Sequence, residues 1–193
     1  MTKAELYASV RQHFDMDVDT LPDSTLDIGV AVTEGHFNRK LLDHPRLQRR
    51  ISWPLNAGDS IIPVPDRLLV LHAIKLGNKS YAQYPLSQEE RASNRPPSFI
   101  SLGNCYKIFP AASDRQTYTL DVTLAIDSLL DEQPGENWIS KYFFDVYHRG
   151  LIYYVADLMQ SPNTPNLYNQ FMAVLDDLGV QGWNEDFTVG NPI

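Results

Sequence analysis

Residues 142–159 read YFFDVYHRGLIYYVADLM, eighteen positions that are mostly apolar yet include a His, an Arg and two Asp. A membrane span needs about 20 predominantly apolar residues, and a charge at its centre is costly. Asp145, His148, Arg149 and Asp157 are spread along the whole stretch, which excludes a span. Asp145 and Arg149 stand at i, i+4 with the acid first, the spacing of a helix-surface ion pair. Phe144, Tyr147, Leu151, Tyr154, Val155 and Leu158 make an apolar face, and Ile152, Tyr153 and Met159 extend it. A helix apolar on more than one side crosses the centre of its domain or packs on another chain. Gly150, in its middle, costs about 1 kcal/mol relative to Ala. Close approach of another backbone would account for it. The stretch is expected to be a packing helix.

Working outward, Thr2 and Glu5 form a capping box ahead of Leu6, Val10 and Phe14, which predicts a helix over residues 3–14. Ser24 with Asp27 can cap a second helix over 25–43, with Leu26, Val30, Thr33, Phe37 and Leu41 on one face. On the C-terminal side, Thr164 can cap and Pro165 suits a first helical position. Leu167, Phe171, Val174, Leu175 and Leu178 then share a face, with Gly179 as the stop.

Between these helices the chain changes character. LQRRISWPL is a strand candidate, and DRLLVLHAIKL (66–76) is apolar on both faces in its first half, as a central strand would be. Gly77-Asn78 turns into KSYAQY. Ser87 and Glu90 suggest a capped short helix over 88–93. SFISL and CYKIF flank Gly103-Asn104 as a hairpin. In QTYTLDVTLAI (116–126), Tyr118, Leu120, Val122, Leu124 and Ile126 alternate with Thr117, Thr119, Asp121 and Thr123. That period of two puts one face in a core and leaves the other wet or against a neighbour. The expected architecture is α+β: a helical bundle from the N- and C-terminal helices, an inserted antiparallel β region and an extended C-terminal tail. Its boundaries are 1–45 with 132–179 for the helical body, 46–131 for the β-rich insertion and 180–193 for the tail.

Charge and composition narrow the function. The 193-residue chain carries a net charge of −8. Residues 1–96 hold 12 basic and 12 acidic side chains, whereas 97–193 hold 4 and 12. An acidic half suits a basic protein partner, or a surface over which DNA passes without sticking. Cys105 is the lone cysteine, so no intramolecular disulfide can form. The polar N-terminus lacks the apolar core of a signal peptide, pointing to an intracellular origin.

Several stretches tempt a catalytic or ligand reading. His148, a turn from Asp145, is one candidate base and His72 another, but no nucleophile elbow, zinc-protease motif or phosphate loop accompanies them. DMDVD (15–19) opens like a calcium loop, but Thr20 and Leu26 stand where that loop needs Gly and Glu. Residues 36–50 hold five Lys/Arg and two His without a recognition motif; a solvated helix end and strand is the plainer reading than a nucleic-acid site. Asp127, Asp131, Glu132 and Glu136 fit no ligand spacing. No catalytic, cofactor or metal residue is assigned. In VQGWNEDFTVGNPI, Trp183, Phe187 and Ile193 are large apolar residues without a period, suited to anchor on a partner or to fold back on their own domain.

In order, the N-terminal helix, DTLPDSTLD, IPVPDRLLVLHAIKLGNKSYAQYPLSQEE, RPPSFISLGNCYKIFPAAS, QTYTLDVTLAI and ENW ahead of GLIYYVADLM form a recognisable set. Over residues 2–178 the chain resembles the phage adaptor proteins, the head-to-tail connector subunits of tailed bacteriophages. Asn137 and Trp138 match that family's Asn-Trp pair before a Tyr-rich helix. The resemblance implies a non-enzymatic virion protein of the neck, made and assembled in the host cytoplasm. It implies a homo-oligomeric ring of twelve copies under the portal, contacting a tail or nozzle protein, with DNA passing through the lumen unbound and no membrane contact. It also implies that Trp183, Phe187 and Ile193 dock the tail on the portal, and that Trp138, Phe144, Tyr147, Gly150, Leu151 and Tyr154 serve helix packing and the subunit interface. A tail-completion or stopper protein is the alternative within the same class.

Overall fold

The computed structural model describes residues 2–131 and 136–184, the side chains as far as Gly179. The fold is α+β, and the chain divides into a helical unit (residues 1–45 and 126–193) and a β unit (46–125).

The helical unit begins with α1 (Lys3–Phe14), whose capping box forms as the sequence predicts: Glu5 N–H donates to Thr2 Oγ1 at 3.3 Å and Thr2 N–H to Glu5 Oε2 at 2.8 Å. Helix α2 (Asp23–Lys40) buries Leu26, Val30, Thr33 and Phe37 on the expected face, with Leu41 buried just beyond its end. Its start differs from expectation. Pro22 precedes it without a side-chain cap, and Asp27 turns instead to α1, accepting from Tyr7 Oη at 2.5 Å and pairing with Lys3 at 2.7 Å.

Residues 142–159 are not one helix. α4 (Trp138–Tyr142) ends at Phe143, which leaves helical dihedrals (φ −136°, ψ 50°), and α5 (Phe144–Leu158) starts afresh. Tyr147, Leu151 and Val155 are buried as expected, but Leu158 is 57% exposed. Val146 and Ala156 are buried in its place, so the buried stripe is rotated. α6 (Thr164–Asn184) buries Phe171, Leu175 and Leu178. Thr164 does not cap it; its hydroxyl donates to the Ser161 carbonyl at 2.7 Å. The helix also runs through Gly179. Glycine stops a helix by adopting the left-handed conformation, and Gly179 does not adopt it. The segment expected as a tail from residue 180 is therefore helical to Asn184, and 185–193 lie outside the described residues.

The β unit has two four-stranded sheets. One has the order β1 (Gln48–Leu55), β8 (Gln116–Leu124), β3 (Leu68–Leu76), β4 (Lys79–Ser80), all antiparallel. The other has the order β2 (Ile61–Pro63), β7 (Cys105–Phe109), β6 (Ser98–Ser101), β5 (Ala82–Tyr84). β5 and β6 pair in parallel, so the region is mixed and not purely antiparallel. The two strands are joined by a crossover containing a 3-10 turn at Leu86–Gln88 and α3 (Glu89–Ser93), which lacks the expected Ser87 cap. The hairpin about Gly103 forms as predicted, with Phe99 opposite Ile108 and Gly103 at φ +89°, a conformation open to glycine.

Both sheets share a core containing Ile62, Ile74, Phe99, Ile108, Tyr118 and Leu120. Alternation in β8 holds from Tyr118 to Val122, with Tyr118, Leu120 and Val122 all at 1% exposure or less, and breaks at its end, where Thr123 is buried and Leu124 only partly so. β3 lies inside its sheet, yet Leu69 is 36% exposed, so this strand is covered on one face only. The last expected strand residue, Ile126, has left the sheet. Its N–H donates to Asn38 Oδ1 on α2 at 3.0 Å, so the chain leaving the β unit is held by the helices.

Candidate assembly surface and its buried brace

Two glycines let α2 and α5 cross closely. A Cβ at Gly29 would lie 2.7 Å from Leu151 Cδ2 and 2.7 Å from Tyr154 Cδ1; one at Gly150 would lie 2.5 Å from Thr33 Cγ2. What Gly150 accommodates is a side chain, not the neighbouring backbone that the sequence suggested. Around the crossing, Phe37 meets Tyr147 edge-on at 4.8 Å, and His36, Tyr153 and Phe171 form a second aromatic cluster.

A carboxylate that sequence reasoning passed over sits beside this crossing. Glu34, on α2, is 6% exposed. It accepts from Ser128 Oγ at 2.6 Å, Leu129 N–H at 2.8 Å and Tyr147 Oη at 2.9 Å. Tyr147 Oη in turn accepts from Asn137 Nδ2 at 2.6 Å, and the same amide donates to the Asp127 carbonyl at 2.7 Å. Asn137 Oδ1 caps α4 by accepting from Ser140 N–H at 2.9 Å, and Ser140 Oγ accepts from Asn137 N–H at 3.0 Å. A buried polar group without partners costs about 1–3 kcal/mol; here each partner supplies another. The network braces α2, α4, α5 and residues 127–129 against one another, at the point where the chain returns from the β unit. The one sequence signal was Glu34 falling beside the apolar face of α2, and helical spacing alone did not mark it as buried.

Burial holds the Glu34 carboxyl above its ordinary range against the opposing pull of its three donors, and burial with the Glu34 charge pushes the Tyr147 phenol upward. A carboxyl raised on folding binds extra protons in the native state. Its stabilising contribution is full below the unfolded value of 4.5 and is lost as pH rises through the folded one. Gln at this position keeps an acceptor for Leu129 and Tyr147 and does not ionise. We expect the thermal midpoint of the wild type, relative to Glu34→Gln, to fall as pH rises from about 4.5. A difference in midpoint that stays constant with pH overturns this account.

The expected packing and interface residues fall in two groups. Tyr147, Gly150 and Leu151 are buried inside the unit. Trp138 stacks on His44 at 4.9 Å, Phe144 stacks on His148 at 6.1 Å, and Tyr154 is half-buried against Gly29. The Trp183 side chain, Phe187 and Ile193 lie outside the described residues. The outward apolar surface is carried partly by residues expected to pack, Leu158 and Met159, and partly by others not singled out as an interface. Ile28 (58% exposed) and Val32 (39%) stand one turn apart on α2, and Tyr142, Leu158 and Met159 are at least half exposed.

The other candidates take structural places. Asp145 and Arg149 do not pair; Arg149 donates to Gln170 Oε1 at 3.3 Å, in keeping with the small value of an exposed ion pair. His148 Nε2 shares a hydrogen bond with Ser9 Oγ at 3.0 Å, and burial, His13 and Arg149 lower its pKa. A triad needs a carboxylate orienting the far ring nitrogen; none bonds it among the described residues. His72 shares a hydrogen bond with Thr123 Oγ1 at 2.7 Å, and Cys105 is half-buried on β7. In residues 15–19, Asp17 accepts from Thr20 N–H at 2.8 Å, closing a local turn. Among the described residues no group of three or more His, Cys, Asp or Glu could hold a metal, and no helix is long and apolar enough to cross a membrane.

The geometry therefore defines a structural class: a helical body whose buried polar chemistry braces helices, with apolar side chains left on its outside, and a separate β unit inserted between its two sequence segments. Residues 1–190 match the SU10 adaptor protein family, and the chain belongs to that family. It is a phage adaptor, a structural virion protein of a typically non-enzymatic kind. No curated protein matches it.

Proposed function

We propose that the protein is the head-to-tail adaptor of a phage neck, forming a ring of twelve copies between the portal and a tail or nozzle protein, with DNA passing through the lumen. The observation that carries this reading is the adaptor-family match across both units. The exposed apolar residues of α2 and α5 support it, since such side chains are suited to be covered on assembly. In this reading the helical unit forms the ring body and the β unit projects toward the tail. Trp183, Phe187 and Ile193 anchor the C-terminal segment on the portal.

Light scattering of the protein alone and mixed with its portal tests this. A ring that joins the portal with matching copy number is the expected result. A species that ignores the portal overturns it, and a ring of another symmetry bound to a tail protein instead makes it a stopper or tail-completion protein. Deleting residues 185–193 keeps α6 whole. We expect that truncation to unfold at the wild-type temperature and to lose portal binding; normal portal binding would refute the anchor role of Phe187 and Ile193.

A further inference from the structure

Division of the chain into its two units exposes a charge segregation. Residues 46–125 hold 10 Lys/Arg and 6 Asp/Glu, a net charge of +4, while the helical unit holds 6 and 18, a net charge of −12. On the β unit, positive charge gathers at one end of the edge strand β1 and on β3, two strands in, with β8 between them. Arg50 Nε donates to Asp121 Oδ1 at 3.0 Å and Lys75 Nζ to Asp121 Oδ2 at 2.5 Å, so two cations are fixed by one carboxylate. Arg49 reaches only the Gln48 carbonyl, at 2.9 Å, and meets no carboxylate among the described residues. Arg49, Arg50 and His72 border a recess of about 480 Å³, and Lys75 reaches Asp121 on its lining. Asp121 neutralises one charge of this group, and the rest faces outward.

On the helical unit several exposed carboxylates are already engaged: Asp23 with Arg11, Asp27 with Lys3 and Asp176 with Lys40. Asp15, Asp17 and Asp19 are different. All three are exposed, meet no cation among the described residues, and flank Val18, which is 58% exposed. An acidic loop with an apolar residue at its centre complements a cationic recess on a sheet edge. It also accounts for the otherwise unemployed DMDVD stretch.

We propose that the face made by Arg49, Arg50, His72 and Lys75 receives the acidic helical unit of a second copy of this chain, led by residues 15–19, so that neighbouring copies associate by charge. The inference rests on the ring reading above and names what would hold neighbours together. DNA is the less fitting occupant. Non-specific duplex binding draws on about six to ten phosphate contacts, and this face offers fewer, with Asp121 at its centre and a strongly acidic unit in the same chain.

Two single charge reversals test it in the full chain. Arg49→Glu and Asp19→Lys each remove a side chain without an ion-pair partner among the described residues, so both variants should melt as the wild type does. Each alone should need about tenfold more protein to assemble, as like charges now meet. High salt should dissociate the wild type. An equimolar mixture should recover assembly, because every reversed face meets a reversed partner and every untouched face a native one. Sedimentation velocity reads all four states. If the single variants assemble as the wild type does, or the mixture is no better than its parts, this contact is refuted while the ring reading stands. If the wild type never self-associates in either salt, this contact is refuted, and binding to the portal alone decides the ring reading. Low-salt binding of a short duplex that Arg49→Glu abolishes, with self-association unchanged, assigns the face to nucleic acid instead.

Discussion

Gly150→Ala destabilises the helical unit by about 1–2 kcal/mol, although Ala is the better helix former by about 1 kcal/mol. The new Cβ would sit 2.5 Å from Thr33 Cγ2, 2.8 Å from its Oγ1 and 3.1 Å from Phe171 Cε2. Thr33 cannot easily swing away, since it is β-branched, helical and 1% exposed. The crossing of α2 and α5 must open, and overpacking of this kind costs about 1–3 kcal/mol. Thr33→Ala removes both clashing atoms. We expect Thr33→Ala to be destabilising by itself, yet to recover much of the loss when combined with Gly150→Ala, a coupling of about 1–2 kcal/mol. Urea unfolding of the four proteins measures it. Strict additivity would mean that the two residues do not meet, and the close crossing would be wrong.

Asn137→Ala has the second large effect, about 2–4 kcal/mol, because one side chain serves two structures. Its oxygen caps α4 through Ser140 N–H, while its amide ties the Asp127 carbonyl to Tyr147 Oη and through it to Glu34. Asn137→Asp separates these roles. It keeps the capping oxygen but places a carboxylate where the amide donated, facing a carbonyl and close to the Glu34 network. We expect Asn137→Asp to be at least as damaging as Asn137→Ala at neutral pH. If it unfolds like the wild type, the cap is all that matters and the brace contributes nothing. The Asn-Trp pair that drew attention in the sequence thus acquires a physical reason: Asn137 organises the return of the chain from the β unit, and Trp138 stacks on His44 beside it.

The sequence by itself determined whatever depends on local spacing. The Thr2–Glu5 box, the buried face of α2, the alternation of β8 from Tyr118 to Val122 and the hairpin about Gly103 all follow from period and capping chemistry, and all appear as read. The rejection of a membrane span rested on four polar residues whose cost in lipid no fold can hide. The α+β class and the family resemblance followed from the order of such elements.

Tertiary structure decided what depends on which side chains meet. The rotation of the buried stripe on α5, the break at Phe143 and the run of α6 through Gly179 were invisible because propensity does not say where a neighbour presses. Local spacing does not mark Glu34, and only the approach of Ser128, Leu129 and Tyr147, about a hundred residues away in sequence, makes it a buried acceptor. The division of charge was masked for the same reason. Halving the chain at residue 96 cuts through the β unit, whereas the fold collects residues 1–45 and 126–193 into one acidic body and leaves 46–125 basic. Local periodicity is written in neighbouring residues, but burial and electrostatic fields are sums over space, and only the folded chain carries them out.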